Sequence, residues 1–281
     1  MEALVRARAL AGRDEPVVIP DQPQASVDAG AAIVARNLTK AFGGTIAVDA
    51  LDLEVARGEI FGFLGPNGAG KTTTIRMLVG LLRPSSGSVH VAGVDLAMEP
   101  EKARSRVAYV PDTPYLYQKL TGREFLHFVA GLYSVDPDTA QRRIDQLLPL
   151  LGLADRGDDL IEGYSHGMRQ KTLMAAAMVH DPEVLFLDEP TVGLDPKSAR
   201  LMQDIFRQLS QRGATVFLST HLLEVAEKMC DRIGIIDHGR LIALGTVDEL
   251  RTLSDRPGNL EDLFLQLTGG PEAAELAAIL A

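Results

Sequence analysis

The stretch at residues 60–82 reads IFGFLGPNGAGKTTTIRMLVGLL and predicts a buried strand, a glycine-rich loop and a helix in succession. Residues 65–72 fit the pattern GxxxxGK[ST], in which backbone N–H groups wrap phosphate oxygens and a helix N-terminus adds partial positive charge. We expect Lys71 to reach the β- and γ-phosphates of a nucleotide, and the hydroxyl of Thr72 to bind a Mg²⁺ ion that bridges them. The loop residues expected to contact the nucleotide are Gly65, Pro66, Asn67, Gly68, Ala69, Gly70, Lys71, Thr72 and Thr73.

The flanks of this loop support the prediction. Apolar Phe61, Phe63 and Leu64 precede it. After it, apolar residues recur at i, i+3, i+4 and i+7, which is one face of a helix that should end before a proline at position 84. Those residues are Ile75, Leu78, Val79 and Leu82.

The composition limits the class of protein. A chain of 281 residues with 46% hydrophobic residues can fill a sizeable core. The formal net charge of −10 argues against nucleic acid as the main partner, because phosphate backbones are bound by clustered Lys and Arg. The single cysteine, Cys230, excludes an intramolecular disulfide and is expected to be a small core or helix residue.

No apolar run approaches the roughly 20 residues that cross a bilayer. The first 29 residues carry Arg6, Arg8 and Arg13 and several prolines, and they lack the continuous apolar core of a secretory signal. We expect residues 1–29 to form a disordered tail.

The order of patterns along the chain predicts an α/β fold with two additions. Residues 31–55 alternate like strands around a Gly43-Gly44 turn, which suggests a hairpin in an antiparallel layer. Residues 113–163 have helix signals, including a Thr121/Glu124 capping box, and suggest an inserted helical subdomain. Strands and helices then alternate as in a doubly wound parallel sheet, and residues 251–281 are expected to be a helical extension after a domain spanning residues 30–250.

Two acidic residues follow the apolar strand at residues 184–187. Adjacent carboxylates are costly to bury without a cation or other partners. Asp188 therefore suits the coordination of Mg²⁺, and Glu189 suits the polarisation of an attacking water. A strand-end turn that merely solvates two acids is the alternative for an isolated pair, and it is weak in a chain with a phosphate-binding loop.

From about residue 33 to residue 250 the chain resembles the ATP-binding cassette, the nucleotide-binding domain of ABC transporters. The resemblance implies a P-loop NTPase fold with a RecA-like core, an antiparallel β subdomain and an inserted helical subdomain. It implies that His221 is the catalytic switch histidine and that Phe42 stacks on adenine, although alone they would be an ordinary strand-end histidine and a core residue. The matching motifs are the P-loop at 65–72, YSHGMRQ at 164–170, VLFLDEP at 184–190, the D-loop Gly193-Leu194-Asp195, and His221.

The motif at residues 164–170 resembles the family signature. Ser165 should cap a helix whose N-terminus, with the Gly167 backbone, offers donors to the γ-phosphate held by another subunit. A plain N-cap is the structural alternative. His166 and Met168 depart from the commonest LSGGQ form, and the YSHGM form resembles a branch that energises drug, lipid or polysaccharide exporters with separate permease chains.

Asp112 is a second departure, because the family usually has a glutamine there that touches Mg²⁺ or the lytic water. Aspartate is one methylene shorter and cannot donate as an amide does. A metal contact and a solvated turn after Pro111 are equally compatible with the sequence.

The resemblance implies an ATPase that pairs with a second cassette, identical or different, around two ATP molecules and Mg²⁺. In this interpretation the protein is cytoplasmic and lies on the inner face of the cell membrane through integral permease subunits, with no nucleic acid as partner. The nucleotide contacts would include Ser165, Gly167 and Asp195 of the opposing cassette. The alternative is a mechanochemical ATPase without transport, which acts on a membrane or soluble partner; the single cassette and the short insert without sustained heptads argue against its ribosomal and DNA-end forms.

Overall fold

Two β-sheets form the centre of the protein. The computed structural model describes residues 17–18, 30–113, 115–252 and 260–269. The strands are β1 Val17–Val18, β2 Ala31–Phe42, β3 Thr45–Ala56, β4 Ile60–Leu64, β5 Ser86–Val91, β6 Val94–Asp95, β7 Val107–Val110, β8 Val184–Asp188, β9 Thr215–Thr220, β10 Arg232–Asp237 and β11 Arg240–Thr246.

Helices cover both sheets and connect their strands. In chain order, those within the described residues are α1 Lys71–Leu78, α2 Pro100–Ser105, α3 Gly122–Leu132, α4 Pro137–Leu150, α5 His166–Met178, α6 Pro196–Gln211, α7 Leu223–Met229, α8 Val247–Thr252 and α9 Leu260–Thr268. Short 3₁₀ helices occupy Ala154–Arg156 and Ile161–Gly163. No helix in these described ranges is long and apolar enough to cross a membrane.

The larger sheet has the strand order β1-β11-β10-β4-β9-β8-β7. The strands β10, β4, β9, β8 and β7 run parallel, whereas β11 is antiparallel to β10. Every residue of β4, β8 and β9 is buried, as expected for parallel strands covered on both faces. Because parallel strands end at the same edge, the segments that follow β4, β8 and β9 are brought together there.

The smaller sheet is antiparallel, with the order β3-β2-β5-β6. Phe42 pairs with Thr45 across a tight turn, and Gly43 takes a φ of +58° that suits glycine. The hairpin predicted at Gly43-Gly44 is therefore confirmed, as are the α/β class and its antiparallel layer.

The two sheets share a core of aromatic rings. Phe217 of β9 lies between three other phenylalanines, with ring centroids 5.5 Å from Phe61, 5.4 Å from Phe63 and 5.5 Å from Phe186. These rings pack with the apolar faces of β2, β3 and α1. The opposite face of the larger sheet packs with the helices of residues 122–178 and with α6.

The capping box predicted in the region of the inserted subdomain is confirmed. The Thr121 hydroxyl accepts a hydrogen bond from the Glu124 N–H at 3.1 Å, and the Glu124 carboxylate accepts one from the Thr121 N–H at 2.8 Å. Asp136 caps α4 by accepting from the Thr139 N–H at 3.0 Å. Side-chain oxygens that accept hydrogen bonds from otherwise unpaired backbone N–H groups therefore set the starts of both helices.

One short strand lies in the N-terminal segment that was predicted to be a disordered tail. Val17–Val18 pairs in parallel with Ala243 and Leu244 at the free edge of β11, so these two residues form a strand within the segment predicted to be disordered. Residues 1–16, 19–29, 253–259 and 270–281 of the predicted tail and extension lie outside the described residues. The predicted domain boundary at residue 250 falls inside α8.

The helix after the P-loop is shorter than expected. It ends at Leu78 because Gly80 takes a φ of +73° and closes the helix. The Gly80 N–H donates to the Met77 carbonyl at 3.1 Å and the Leu81 N–H to the Arg76 carbonyl at 2.9 Å, which is the Schellman pattern.

Candidate nucleotide-binding site

The P-loop begins at the buried end of β4. A Cβ added to Gly65 would lie 2.3 Å from the Ile236 carbonyl oxygen, and one added to Gly70, whose φ is +108°, would lie 2.6 Å from the Ala47 carbonyl oxygen. These two glycines are therefore required where the loop packs on the protein. Gly68, with a φ of +82°, has no atom within 4 Å of its added Cβ, so open space lies beside it.

Lys71 is held inside this loop. Its Nζ donates to the carbonyl oxygens of Gly65 at 2.6 Å and Pro66 at 3.1 Å, and the residue is 7% exposed. Burial lowers the pKa of Lys71, and the charges of Glu189 and Asp188 oppose that shift. The loop that would bind a phosphate thus also orients the Lys71 ammonium group.

Thr72 and Asp188 join the P-loop helix to the end of β8. The Thr72 hydroxyl donates to Asp188 Oδ2 at 2.8 Å. Asp188 is 1% exposed, and burial raises its pKa, with the negative charges of Asp112 and Glu189 acting in the same direction. A buried carboxylate beside a hydroxyl, surrounded by further acids, is a place where a cation would relieve an electrostatic cost.

Glu189 has a strained backbone and a fixed carboxylate. Its φ is +51°, an uncommon value for a residue other than glycine, and its N–H donates to the Ser219 carbonyl at 2.9 Å. His221 Nδ1 lies 2.8 Å from Glu189 Oε1, and the Thr220 hydroxyl donates to Oε2 at 3.1 Å. The structure thus brings together Glu189 and His221, both predicted site residues, and Thr220 is a contact that sequence reasoning missed.

Asp112 lies in an exposed turn after β7. Its Oδ1 accepts a hydrogen bond from the Thr113 N–H at 2.7 Å. It is close enough to the site that its charge contributes, after burial and Asp188, to raising the pKa of Tyr109 to about 12. Asp112 therefore adds negative potential beside Asp188, while its direct contact is a local turn.

Phe42 is the last residue of β2 and is 51% exposed. The Lys40 ammonium lies 5.1 Å from the ring centroid. The alternative that Phe42 is an ordinary core residue is wrong, because half of the side chain faces solvent.

The signature segment forms a capped helix start, as expected. Ser165 is the N-cap of α5, and its hydroxyl accepts from the Met168 N–H at 3.3 Å. A Cβ added to Gly193, whose φ is +75°, would lie 3.0 Å from the imidazole of His166. The imidazole of His166, which departs from the common family form of the signature, therefore lies next to the D-loop backbone of the same chain.

Asp195 uses its carboxylate within its own helix. The Ser198 N–H donates to Oδ1 at 3.0 Å and the Ser198 hydroxyl donates to Oδ2 at 2.6 Å. The Ser198 hydroxyl is the main cause of a lowered pKa for Asp195. Among the described residues, neither the Ser165 nor the Asp195 side chain hydrogen-bonds to the P-loop, so one chain does not join these groups directly.

Comparisons with known proteins agree with this geometry. The family model described as ABC transporter matches residues 48–192. The daunorubicin/doxorubicin resistance ATP-binding protein DrrA of Streptomyces peucetius is 46% identical over 221 residues, which cover 79% of this chain and 67% of that protein. The linearmycin resistance ATP-binding protein LnrL of Bacillus subtilis (strain 168) is 41% identical over 246 residues, covering 87% and 78%. A solved structure of the ATP binding subunit of an ABC transporter superposes with a TM-score of 0.79 at 34% identity, over 84% of this chain and 99% of that one.

Proposed function

Since the chain belongs to the ABC transporter family, whose ATP-binding proteins are ATPases that power transport, we propose that it hydrolyses ATP at the P-loop edge to drive a separate exporter permease. The observation that carries this proposal is the meeting of the P-loop lysine, the Thr72–Asp188 pair and the Glu189–His221 pair at one edge of the sheet. Each group has a distinct task in phosphoryl transfer.

In this mechanism the P-loop amides and Lys71 bind the phosphates. Lys71 exchanges its bonds to the loop carbonyls for bonds to β- and γ-phosphate oxygens, so its positive charge faces the negative charge that develops during transfer. Glu189 accepts a hydrogen bond from the attacking water and takes its proton. His221, hydrogen-bonded to Glu189 Oε1 at 2.8 Å, would orient that carboxylate.

The residues present also fit a Mg²⁺ ion. The Thr72 hydroxyl and the Asp188 carboxylate are oxygen donors of the kind that Mg²⁺ prefers, and Asp188 is buried among acids whose mutual repulsion a cation would offset. When bound, the ion would neutralise charge on the β- and γ-phosphate oxygens. Asp112 stays a weaker candidate ligand, because its Oδ1 is engaged by the turn.

The variant Glu189→Gln tests the catalytic assignment. The amide keeps the size of the side chain but cannot take a proton, so turnover should fall by about 10² to 10⁴ while ATP affinity stays unchanged. Steady-state phosphate release and ATP binding by calorimetry measure the two quantities. Turnover close to that of the unaltered protein would refute the assignment of Glu189 as the base.

We further propose that each ATP site is shared between two cassettes. The signature helix start of one chain has exposed donors, yet its side-chain hydrogen bonds are internal. In a symmetric dimer, Lys71 of one subunit would face Ser165 and Gly167 of the other, with two such sites. A partner cassette of a different sequence would satisfy the same geometry.

Mixing two inactive variants tests the shared site. Lys71→Ala removes a charge-assisted contact worth about 1.5 to 3 kcal/mol, and Ser165→Ala removes a γ-phosphate donor, so each homodimer should be nearly inactive. In a mixed dimer one site carries both lesions and the other carries none, so ATPase activity should partly return. No recovery from demonstrated mixed dimers, together with activity in a tethered wild-type and double-variant pair, would contradict the shared site.

The permease partner is proposed from the exposed aromatic surface of the helical region. Tyr115 is 85% exposed, Tyr117 60% and Phe128 42%, and the rings of Tyr117 and Phe128 pack edge to face at 5.3 Å. Exposed aromatic clusters mark protein contacts, and this one suits a docking segment of a membrane subunit. The protein would then act on the cytoplasmic face of the membrane, and the resistance proteins DrrA and LnrL suggest drug-like cargo.

A further inference from the structure

Thr220 is the last residue of β9 and is 1% exposed. It stands directly before His221, at the strand end next to β4 and β8. A buried hydroxyl at that edge faces the candidate site, whereas the sequence alone marks only an ordinary β-branched residue in a strand.

The direction of the Thr220 hydrogen bond is fixed by a second bond. The Leu222 N–H donates to the Thr220 hydroxyl oxygen at 3.0 Å. A hydroxyl has one proton to donate, and here that proton is directed to Glu189 Oε2 at 3.1 Å. Because the orientation of this hydroxyl is already set, its hydrogen bond restricts the carboxylate to a smaller range of positions than a freely rotating hydroxyl would.

Glu189 needs such support because its backbone conformation alone does not determine the position of its carboxylate. The residue is in the left-handed region at a φ of +51°, a conformation that costs energy and is maintained by surrounding contacts. The Ser219 carbonyl holds its N–H at 2.9 Å, and His221 holds Oε1 at 2.8 Å. The carboxylate thus has two side-chain partners, His221 and Thr220. The His221 side chain is 48% exposed whereas Thr220 is 1% exposed, so the Thr220 contact is the one shielded from water.

We propose that Thr220 is a positioning residue for hydrolysis: by holding Oε2 of Glu189, it keeps the carboxylate in one orientation towards the attacking water. This inference rests on the proposed role of Glu189 as base. Thr220 itself touches neither phosphate nor water in this assignment, so its loss should change turnover and leave nucleotide binding nearly intact.

The test compares Thr220→Val, which keeps the shape and removes the hydroxyl, with Thr220→Ser, which keeps the hydroxyl. A misplacement of a catalytic group by about 1 Å can cost about 10²-fold, so we expect kcat of the Val variant to fall about 10- to 100-fold with KM for ATP within about threefold. The Ser variant should stay within about threefold of the unaltered kcat. If the Val variant does not fold, as judged by its melting temperature, Thr220→Ala takes its place.

Thr215→Val is the matched control. Thr215 is on the same strand, is also 1% exposed, and its hydroxyl likewise accepts one backbone N–H, from Gly58 at 3.0 Å, and donates once, to the Ala56 carbonyl at 3.3 Å. It lies at the opposite end of β9 from the site. Its substitution should lower the melting temperature comparably but leave kcat unchanged.

A double-variant cycle separates this inference from the proposed function. In a Glu189→Gln background the Val substitution should cause little further loss in single-turnover hydrolysis, because both changes act through one side chain. A Val variant with normal kcat, a Ser variant as impaired as Val, or full additivity with Glu189→Gln would each overturn the role of Thr220 while leaving Glu189 intact. Normal turnover of Glu189→Gln would overturn both assignments.

Discussion

Replacing Phe42 by alanine should weaken ATP binding without unfolding the protein. Phe42 is 51% exposed at the tip of a hairpin, so little apolar burial is lost on truncation. A base stacked on an aromatic side chain contributes about 1 to 3 kcal/mol. We expect the lower end of that range, because the Lys40 ammonium already lies 5.1 Å from the ring centroid and occupies part of its surroundings. About 1 to 1.4 kcal/mol corresponds to a fivefold to tenfold loss of affinity.

The assay is calorimetric titration in a Glu189→Gln background, so that hydrolysis does not interfere. Two ligands separate the contributions: ATP carries the base, and inorganic triphosphate does not. Phe42→Ala should weaken ATP alone, and Phe42→Tyr should keep its affinity. Ile46→Ala is the control, because Ile46 is 54% exposed on the same hairpin and pairs with Ala41.

Two results would refute the stacking argument. Equal losses for ATP and triphosphate would mean that truncation disturbs the phosphate loop. A collapsed melting temperature with unchanged ATP affinity would mean that the ring supports the fold.

Two further predictions follow from strained or charged positions. Asp188→Asn should abolish ATPase activity yet raise the melting temperature of the nucleotide-free protein at neutral pH. The raised pKa of Asp188 means that the folded state holds the proton more tightly than the unfolded chain, so the unaltered protein loses stability as pH rises from about 3.8 through the folded pKa. In scanning calorimetry, the difference in melting temperature between the variant and the unaltered protein should therefore widen over that pH range and vanish below it. Gly193→Ala should lower ATPase activity, because the φ of Gly193 is +75° and an added Cβ would lie 3.0 Å from the His166 ring. Adding His166→Ala should restore part of the activity by removing that steric clash. No restoration would show that the backbone strain alone is responsible.

The sequence was sufficient for the features that depend on local chemistry. The strand, loop and helix around the P-loop, the hairpin at Gly43-Gly44 and the caps at Thr121 and Ser165 follow from short patterns and were confirmed. The α/β class followed from the alternation of apolar strands with amphipathic helices. The assigned roles of Lys71 and the other site residues stay predictions.

What the sequence did not predict depends on contacts between distant segments. The end of α1 was set too late because apolar spacing continued past Gly80, and only the left-handed φ of that glycine shows where the helix closes. The hydroxyl of Thr220 gave no signal, since its partner Glu189 is distant in sequence and follows the end of β8. Asp195 was assigned to the nucleotide by resemblance, whereas its two oxygens are engaged by Ser198 in this chain.

The segment from residue 189 to residue 195 links the two halves of the proposed site. The Val192 N–H donates to the Glu189 carbonyl at 3.2 Å and the Leu194 N–H to the Thr191 carbonyl at 3.3 Å, so the chain passes from the proposed base to the D-loop through two tight turns. Gly193 then meets the ring of His166, next to Ser165. In a dimer with shared sites, a phosphate bound at the signature of one subunit would therefore be linked, through this short hydrogen-bonded segment, to Glu189 of the same subunit. That Glu189 would act on the other ATP. The physical route for coupling the two ATP molecules would then lie within each chain, where the His166 imidazole stands next to the backbone of Gly193.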